Sequence, residues 1–126
     1  MYVVIIKYMK KGGVIGMKKY QMSVDKGKKE MNIRVWGMFE ASDANSFIED
    51  FKKELSSIQT SEFILAFDAK DLNVSKPEML PMLEGCFKMY KECNFKKVTA
   101  KVENNVTLKM QLSRIGRNSG LNIEVI

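Results

Sequence analysis

Residues 63–67 read Phe-Ile-Leu-Ala-Phe, a continuous apolar run with the length of a β-strand. A strand that is buried on both faces carries apolar side chains at every position, whereas a strand with one wet face alternates. The run therefore predicts a central strand covered on both faces. Asp68, Asp71 and Asn73 follow it and predict a polar connection into a helix.

The helix after this connection has a recognisable start. Residues 75–78, Ser-Lys-Pro-Glu, match the capping box, in which Ser and Glu side chains bond to backbone amides. Pro81 lacks an amide hydrogen, so we expect a loose or 3₁₀ first turn and regular helix from near Leu80. The apolar face of this helix consists of Met79, Met82, Leu83, Cys86, Phe87 and Tyr90.

Towards the N-terminus, a hairpin and a helix precede the central strand. Residues 20–24 and 31–35 alternate apolar and polar side chains, and residues 25–28, Asp-Lys-Gly-Lys, supply turn chemistry between them. Ser42 and Asp43 then offer an N-cap. The helix that follows has apolar residues at spacings of three and four, namely Ala44, Phe47, Ile48, Phe51, Leu55 and Ile58.

Towards the C-terminus, residues 95–102 predict a strand, and Asn104-Asn105 offers a cap for a third helix. Gly116 or Gly120 ends that helix, and residues 121–126 predict a short last strand. The order β-β-α-β-α-β-α-β predicts an α/β fold. We expect a mixed, mostly parallel sheet of four to five strands packed with three or more helices.

The distribution of charge limits the classes of partner. The chain has 126 residues and a net charge of +6. Residues 1–30 hold the whole excess, since residues 31–126 contain thirteen basic and thirteen acidic side chains. A nucleic-acid-binding domain usually clusters Lys and Arg on a folded face, so nucleic acid ranks last among the expected partners. No apolar run approaches the roughly 20 residues that span a bilayer, so we expect a cytoplasmic protein without membrane contact.

The cysteine spacing and the lack of histidine argue against disulfide and metal chemistry. Cys86 and Cys93 are two predicted helical turns apart, about 10 Å of rise, which is too far for a disulfide within one helix. We expect free thiols in a reducing compartment. No histidine is present, so we expect neither a metal site nor a cofactor.

Residues 1–16 do not continue the pattern of the remaining chain. Residues 3–6, Val-Val-Ile-Ile, have strand character, but Lys and Gly residues at 10–13 interrupt them. The codons of residues 11–13 can contain a bacterial ribosome-binding sequence just before Met17. We therefore hypothesise that residues 1–16 are an extension upstream of the native start and that residues 17–126 form one domain. An authentic strand or a flexible arm is the alternative.

The order of elements resembles the STAS domains of bacterial anti-sigma-factor antagonists. The resemblance covers residues 20–126 and includes the apolar strand ending in Asp68, the Ala-Lys-Asp-Leu of residues 69–72, and the Arg-Asn-Ser-Gly-Leu of residues 117–121. It implies a SpoIIAA-like fold and a protein-binding role in bacterial signalling or regulation.

The resemblance also implies a place for partner binding. In that family the phosphorylated serine starts the second helix, but the matching position here falls near Pro77. Ser75, two residues earlier, is the candidate for phosphorylation, and a helix cap is the competing interpretation. Asn73, Ser75 and Lys76 are the expected partner-binding residues. The implied partner is a protein, for example an anti-sigma-factor kinase, and a homodimer stays open.

The sequence predicts no catalytic arrangement. Asp68 and Asp71 resemble a carboxylate pair at the end of a strand, but no base or nucleophile is recognisable beside them, so we interpret them as loop-solvating residues. The chain is therefore expected not to be an enzyme. The alternative function is a small-molecule or lipid-binding domain, because related folds hold ligands between helix and sheet.

Overall fold

The computed structural model describes residues 18–126 and shows an α/β architecture. Neighbouring strands follow chain order in one sheet, in which β1 and β2 are antiparallel and the later strands are parallel. The strands are β1 Tyr20–Asp25, β2 Glu30–Gly37, β3 Ile64–Leu72, β4 Lys97–Lys101 and β5 Ile123–Val125. The predicted fold class is confirmed. The predictions for residues 1–16 lie outside the described residues.

The β1–β2 hairpin forms where the turn residues predict it. The Lys28 amide donates a hydrogen bond to Asp25 Oδ1 at 3.0 Å, which satisfies the turn locally. Lys29 then adopts a left-handed φ of +56° and leads the chain into β2. Met31 and Ile33 point into the core and are 0% and 1% exposed, so the alternation predicted for β2 is confirmed.

Helices cover one face of the sheet. Parallel strands in chain order are joined by right-handed crossovers, which bring all the connecting helices to the same side. These helices are α1 Ala41–Leu55, α2 Leu80–Glu92 and α3 Val106–Ser119. On the other face Arg34, Ala66, Asp68 and Lys101 are half-buried or exposed. The prediction that β3 is covered on both faces is therefore wrong for the described part of the chain. Ala66 points to the uncovered face. Its side chain is small, so it counts as apolar in the sequence run but needs no covering layer.

The ends of α1 and α3 are set by local hydrogen bonds. Glu40 is the N-cap of α1, and its amide donates to Asp43 Oδ2 at 2.7 Å, so the prediction of Ser42 as a cap is wrong. Asn105 caps α3 as predicted, since its Oδ1 accepts from the Leu108 amide at 3.0 Å. Gly120 follows α3 in the left-handed conformation, and the predicted end is confirmed. No helix within residues 18–126 is long and apolar enough to cross a membrane.

The start of α2 differs from the predicted capping box. A 3₁₀ turn, Pro77–Met79, comes first and α2 begins at Leu80, as Pro81 predicts. Lys76 is the N-cap residue of this turn and makes no capping bond through its side chain. The capping box of Ser75 and Glu78 is therefore wrong. Ser75 lies one residue before the cap position, so its hydroxyl does not bond to the amides of the turn.

Aromatic rings fill the space between the sheet and the first two helices. Phe51 of α1 is fully buried, and its ring centroid lies 5.3 Å from that of Tyr90 in α2. The Phe67 ring of β3 lies 5.3 Å from the same tyrosine. Such tilted and edge-to-face contacts add to the stabilisation from apolar burial. Cys86 and Cys93, on the Tyr90 helix and directly after it, are free thiols as predicted.

Candidate functional site

The candidate site begins at residues 73–76, hereafter the 73–76 loop, which follows the carboxyl end of β3. The Asn73 amide donates a hydrogen bond to the Gly37 carbonyl at 3.0 Å and anchors the loop to the end of β2. Gly37 has a φ of +76°, which glycine adopts without a steric cost. Carboxyl ends of parallel strands are where open α/β sheets usually bind their ligands.

Gln111 of α3 holds the middle of the 73–76 loop. Its Oε1 accepts a hydrogen bond from the Ser75 amide at 2.9 Å, and its Nε2 donates to the Ser75 carbonyl at 3.0 Å. One side-chain amide thus satisfies both backbone groups of a loop residue, as a neighbouring strand would. The sequence does not single out Gln111, because its role depends on the packing of α3 beside the loop.

The three predicted partner-binding residues differ in exposure. Asn73 and Lys76 are exposed, and Lys76 Nζ lies 3.4 Å from Glu40 Oε2 in a solvated ion pair. Ser75 is half-buried and bonds through its backbone, while its hydroxyl has no hydrogen-bond partner within residues 18–126. The loop therefore presents two polar side chains to solvent and turns its serine inward.

The predicted carboxylate pair is not a single site. Asp68 and Asp71 both belong to β3, which pairs with β2 as far as Leu72, so their predicted place in a loop is wrong. Arg34 donates to Asp71 Oδ2 at 3.3 Å, whereas Asp68 Oδ2 lies 4.0 Å from Lys70 Nζ. Each carboxylate thus has its own cation. No group of three or more metal-binding side chains is found among residues 18–126.

Beside Gln111, α3 exposes apolar and basic side chains. Val106 and Met110 are 66% and 61% exposed and lie one helical turn apart. Lys109, Arg114 and Arg117 are also exposed, and α3 contains no acidic residue. None of these three cations takes part in an ion pair with another described residue. The outer surface of α3 is thus apolar at its start and positively charged further along.

An apolar cavity of about 80 Å³ lies behind the 73–76 loop, between the sheet and all three helices. Ser75 belongs to its lining, together with Cys86, Tyr90 and a larger set of aromatic and aliphatic residues, and no charged side chain lines it. Burial raises the pKa of Cys86 to about 11 and the pKa of Tyr90 well above its ordinary value. Both groups therefore stay protonated at neutral pH, and the thiol is a poor nucleophile.

Comparison with solved structures identifies the architecture. A crystal structure of an uncharacterised DUF3478-family protein with a SpoIIAA-like fold, from Shewanella loihica PV-4, matches with a TM-score of 0.64. The two chains are 10% identical, and the match covers 91% of each. The chain has a SpoIIAA-like fold. No protein-family model and no curated protein matches its sequence. The SpoIIAA-like fold confirms the divergent STAS-like architecture predicted from the order of elements.

Proposed function

We propose that this SpoIIAA-like domain is a non-enzymatic regulatory module that binds a partner protein through a docking surface formed by Asn73, Lys76, Val106 and Met110. The paired hydrogen bonds between Gln111 and Ser75 carry the proposal, because they join the 73–76 loop to α3. The exposed side chains of both elements are thus held in one arrangement. A preorganised surface loses less conformational freedom when a partner binds.

The composition of the docking surface suits a protein partner. Neighbouring exposed apolar side chains such as Val106 and Met110 are typical of interaction sites, and methionine adapts its shape to a partner. Lys109, Arg114 and Arg117 add unpaired positive charge on the same helix. We therefore expect the partner to offer an apolar patch with acidic side chains next to it, since complementary charge speeds association and selects partners.

The side chains near the site favour binding over catalysis. Asp68 and Asp71 each lie beside a cation, and the Cys86 thiol is protonated at neutral pH because burial raises its pKa. Nucleophilic catalysis requires an activated nucleophile within hydrogen-bond reach of a base. Within residues 18–126 the site shows no such pair. The cation-paired carboxylates and the protonated thiol therefore support a role without catalysis.

The resemblance to anti-sigma-factor antagonists supports a bacterial, cytoplasmic kinase of that system as the partner. Phosphorylation of Ser75 stays a prediction, and the geometry adds a condition to it. Ser75 is half-buried and lines the cavity, so we expect that a kinase needs the 73–76 loop to move before it reaches the hydroxyl. Incubation with a cognate serine kinase, read by intact mass with Ser75→Ala as control, tests the modification.

Site-specific photocrosslinking in the source cells tests the docking surface. A photoreactive amino acid is placed at Met110 or Asn73 and, as a matched control, at Lys52, an exposed residue of α1. We expect a discrete protein adduct from the first two positions, weaker when Gln111→Ala releases the loop, and none from Lys52. Identification of a kinase-like ATPase in the adduct would support the anti-sigma-factor system. Equal adducts from Lys52, or adducts with nucleic acid alone, would contradict the proposal.

A further inference from the structure

Tyr90 is a buried tyrosine whose hydroxyl has no hydrogen-bond partner among the described residues. It is 4% exposed and lines the apolar cavity. Buried hydroxyl groups in proteins are normally hydrogen-bonded, as at Tyr20, which donates to Asp50 Oδ2 at 2.6 Å. No polar side-chain atom in residues 18–126 is both fully enclosed and unpaired. The Tyr90 hydroxyl therefore keeps some accessible surface, and the cavity is the free space that Tyr90 borders.

The cavity has the position and lining of a ligand site. Protein interiors are close-packed, but small side chains at Ala44, Ala69 and Ala100 leave this space unfilled. Its lining includes the half-buried Leu72 and Ser75 at the carboxyl end of β3. The Ser75 hydroxyl is also without a described partner. Two residues whose hydroxyl groups have no described partner thus line one apolar cavity, and small-molecule sites combine such few polar groups with apolar walls.

We propose that this cavity binds a small neutral molecule built from one ring or a short hydrocarbon chain and carrying one oxygen atom. The oxygen accepts a hydrogen bond from Tyr90 Oη, and Ser75 lines the same space. A carboxylate or an ammonium group is excluded, because no charged side chain lines the cavity to compensate a buried charge. This binding site goes beyond the proposed protein docking and stands independently of it.

The volume limits the size of the ligand. An apolar cavity of roughly 150 Å³ is enough to bind benzene. The cavity here, at about 80 Å³, encloses less than one whole ring, so part of a cyclic ligand lies outside the enclosed volume. Because Ser75 lines the cavity, a ligand there lies against the 73–76 loop.

Matched ligands test the role of the hydroxyl group. The full chain is titrated with p-cresol, with toluene, which lacks the oxygen, and with p-toluate, which carries a charge. Binding is read from amide shifts in NMR spectra. We expect p-cresol to bind about three- to tenfold more tightly than toluene, the gain of one neutral hydrogen bond. p-Toluate is expected not to shift the amides that line the cavity.

Two tyrosine variants test whether the hydrogen bond to the ligand comes from Tyr90. Tyr90→Phe keeps the ring and is expected to lower p-cresol affinity to that of toluene, without changing toluene binding. Tyr20→Phe, whose hydroxyl bonds to Asp50 outside the cavity, is the control and is expected to leave both affinities unchanged. Should Tyr90→Phe fail to fold, Ala100→Val narrows the cavity and is expected to weaken both ligands. Equal affinities of the wild-type chain for p-cresol and toluene, or shifts confined to the uncovered sheet face, would overturn the proposal.

Discussion

At the scale of single residues, Asp50 joins α1 to the start of β1. Its Oδ2 accepts hydrogen bonds from Lys18 Nζ at 2.7 Å and from Tyr20 Oη at 2.6 Å. Burial acts to raise the pKa of Asp50, but these two bonds and the Lys18 charge together outweigh it and hold the pKa below its ordinary value of 3.8. A lowered folded-state pKa means that the ionised carboxylate stabilises the fold.

Asp50→Asn is therefore expected to remove a pH-dependent part of the stability. The contribution of Asp50 is complete above its ordinary pKa of 3.8 and is lost as the pH falls through the lower folded-state pKa. The side chain is 31% exposed, so solvent screening limits the effect to about 0.5–1 kcal/mol at pH 7. Urea denaturation at pH 7 and pH 3 measures it, with Glu49→Gln on the same helix as control. A deficit that stays equal at both pH values would contradict this account.

The helix N-caps show why the roles of single residues could be predicted at some positions and not at others. Asn105 was predictable as a cap because its side chain and the following apolar helix face agree. Ser42 and Ser75 have equally suitable side chains but lie outside the cap positions. The cap position depends on where the preceding strand stops and on the extra 3₁₀ turn before α2. Neither follows from the chemistry of a serine, so the capping role of Ser75 could not be decided from the sequence.

At the scale of elements, the contact between the 73–76 loop and α3 depends on one side chain. Gln111→Ala removes both hydrogen bonds to the Ser75 backbone, and we expect the free energy of unfolding to fall by about 1–2 kcal/mol. Hydrogen exchange of the loop amides, followed by mass spectrometry, is expected to accelerate by about tenfold or more. Thr107→Ala, exposed one turn earlier on α3, is the control. Unchanged exchange in the Gln111 variant would show that other contacts hold the loop.

The helices and most strands could be predicted from the periodicity of apolar residues. The length of β3, and the fact that helices pack on only one of its faces, could not. The helix faces repeat at three and four residues, and the residues around Met31 and Val98 repeat at two, so these elements were predictable. β3 extends through Asp68 to Leu72 because pairing with β2 satisfies its backbone despite polar side chains. Pairing with a neighbouring strand is a non-local property, and apolar periodicity within one segment does not report it.

At the scale of the whole molecule, the order of elements implied a SpoIIAA-like fold, and the sites arise from what that fold brings together. The cavity needs small side chains from α1, β3 and β4, such as Ala44, Ala69 and Ala100, which are unremarkable along the chain. The docking surface likewise combines a loop and a helix whose bonded residues, Ser75 and Gln111, are 36 positions apart in sequence. Predicting either would require the packing of the helices on the sheet.

Ser75 belongs both to the cavity lining and to the 73–76 loop that supports the docking surface, so occupancy of the cavity is expected to change the loop. A ligand shifts the equilibrium between the open and closed loop only by the difference in its affinity for these two states. Because Ser75 lines the cavity, we expect p-cresol to bind more tightly while the loop is in place, so saturating p-cresol should slow hydrogen exchange at residues 73–76. The turn at residues 25–28 is the internal control, and Tyr90→Phe should weaken the effect. Equal slowing at both places would show that p-cresol has no specific effect on the loop, and faster exchange of the loop would contradict the expected stabilisation.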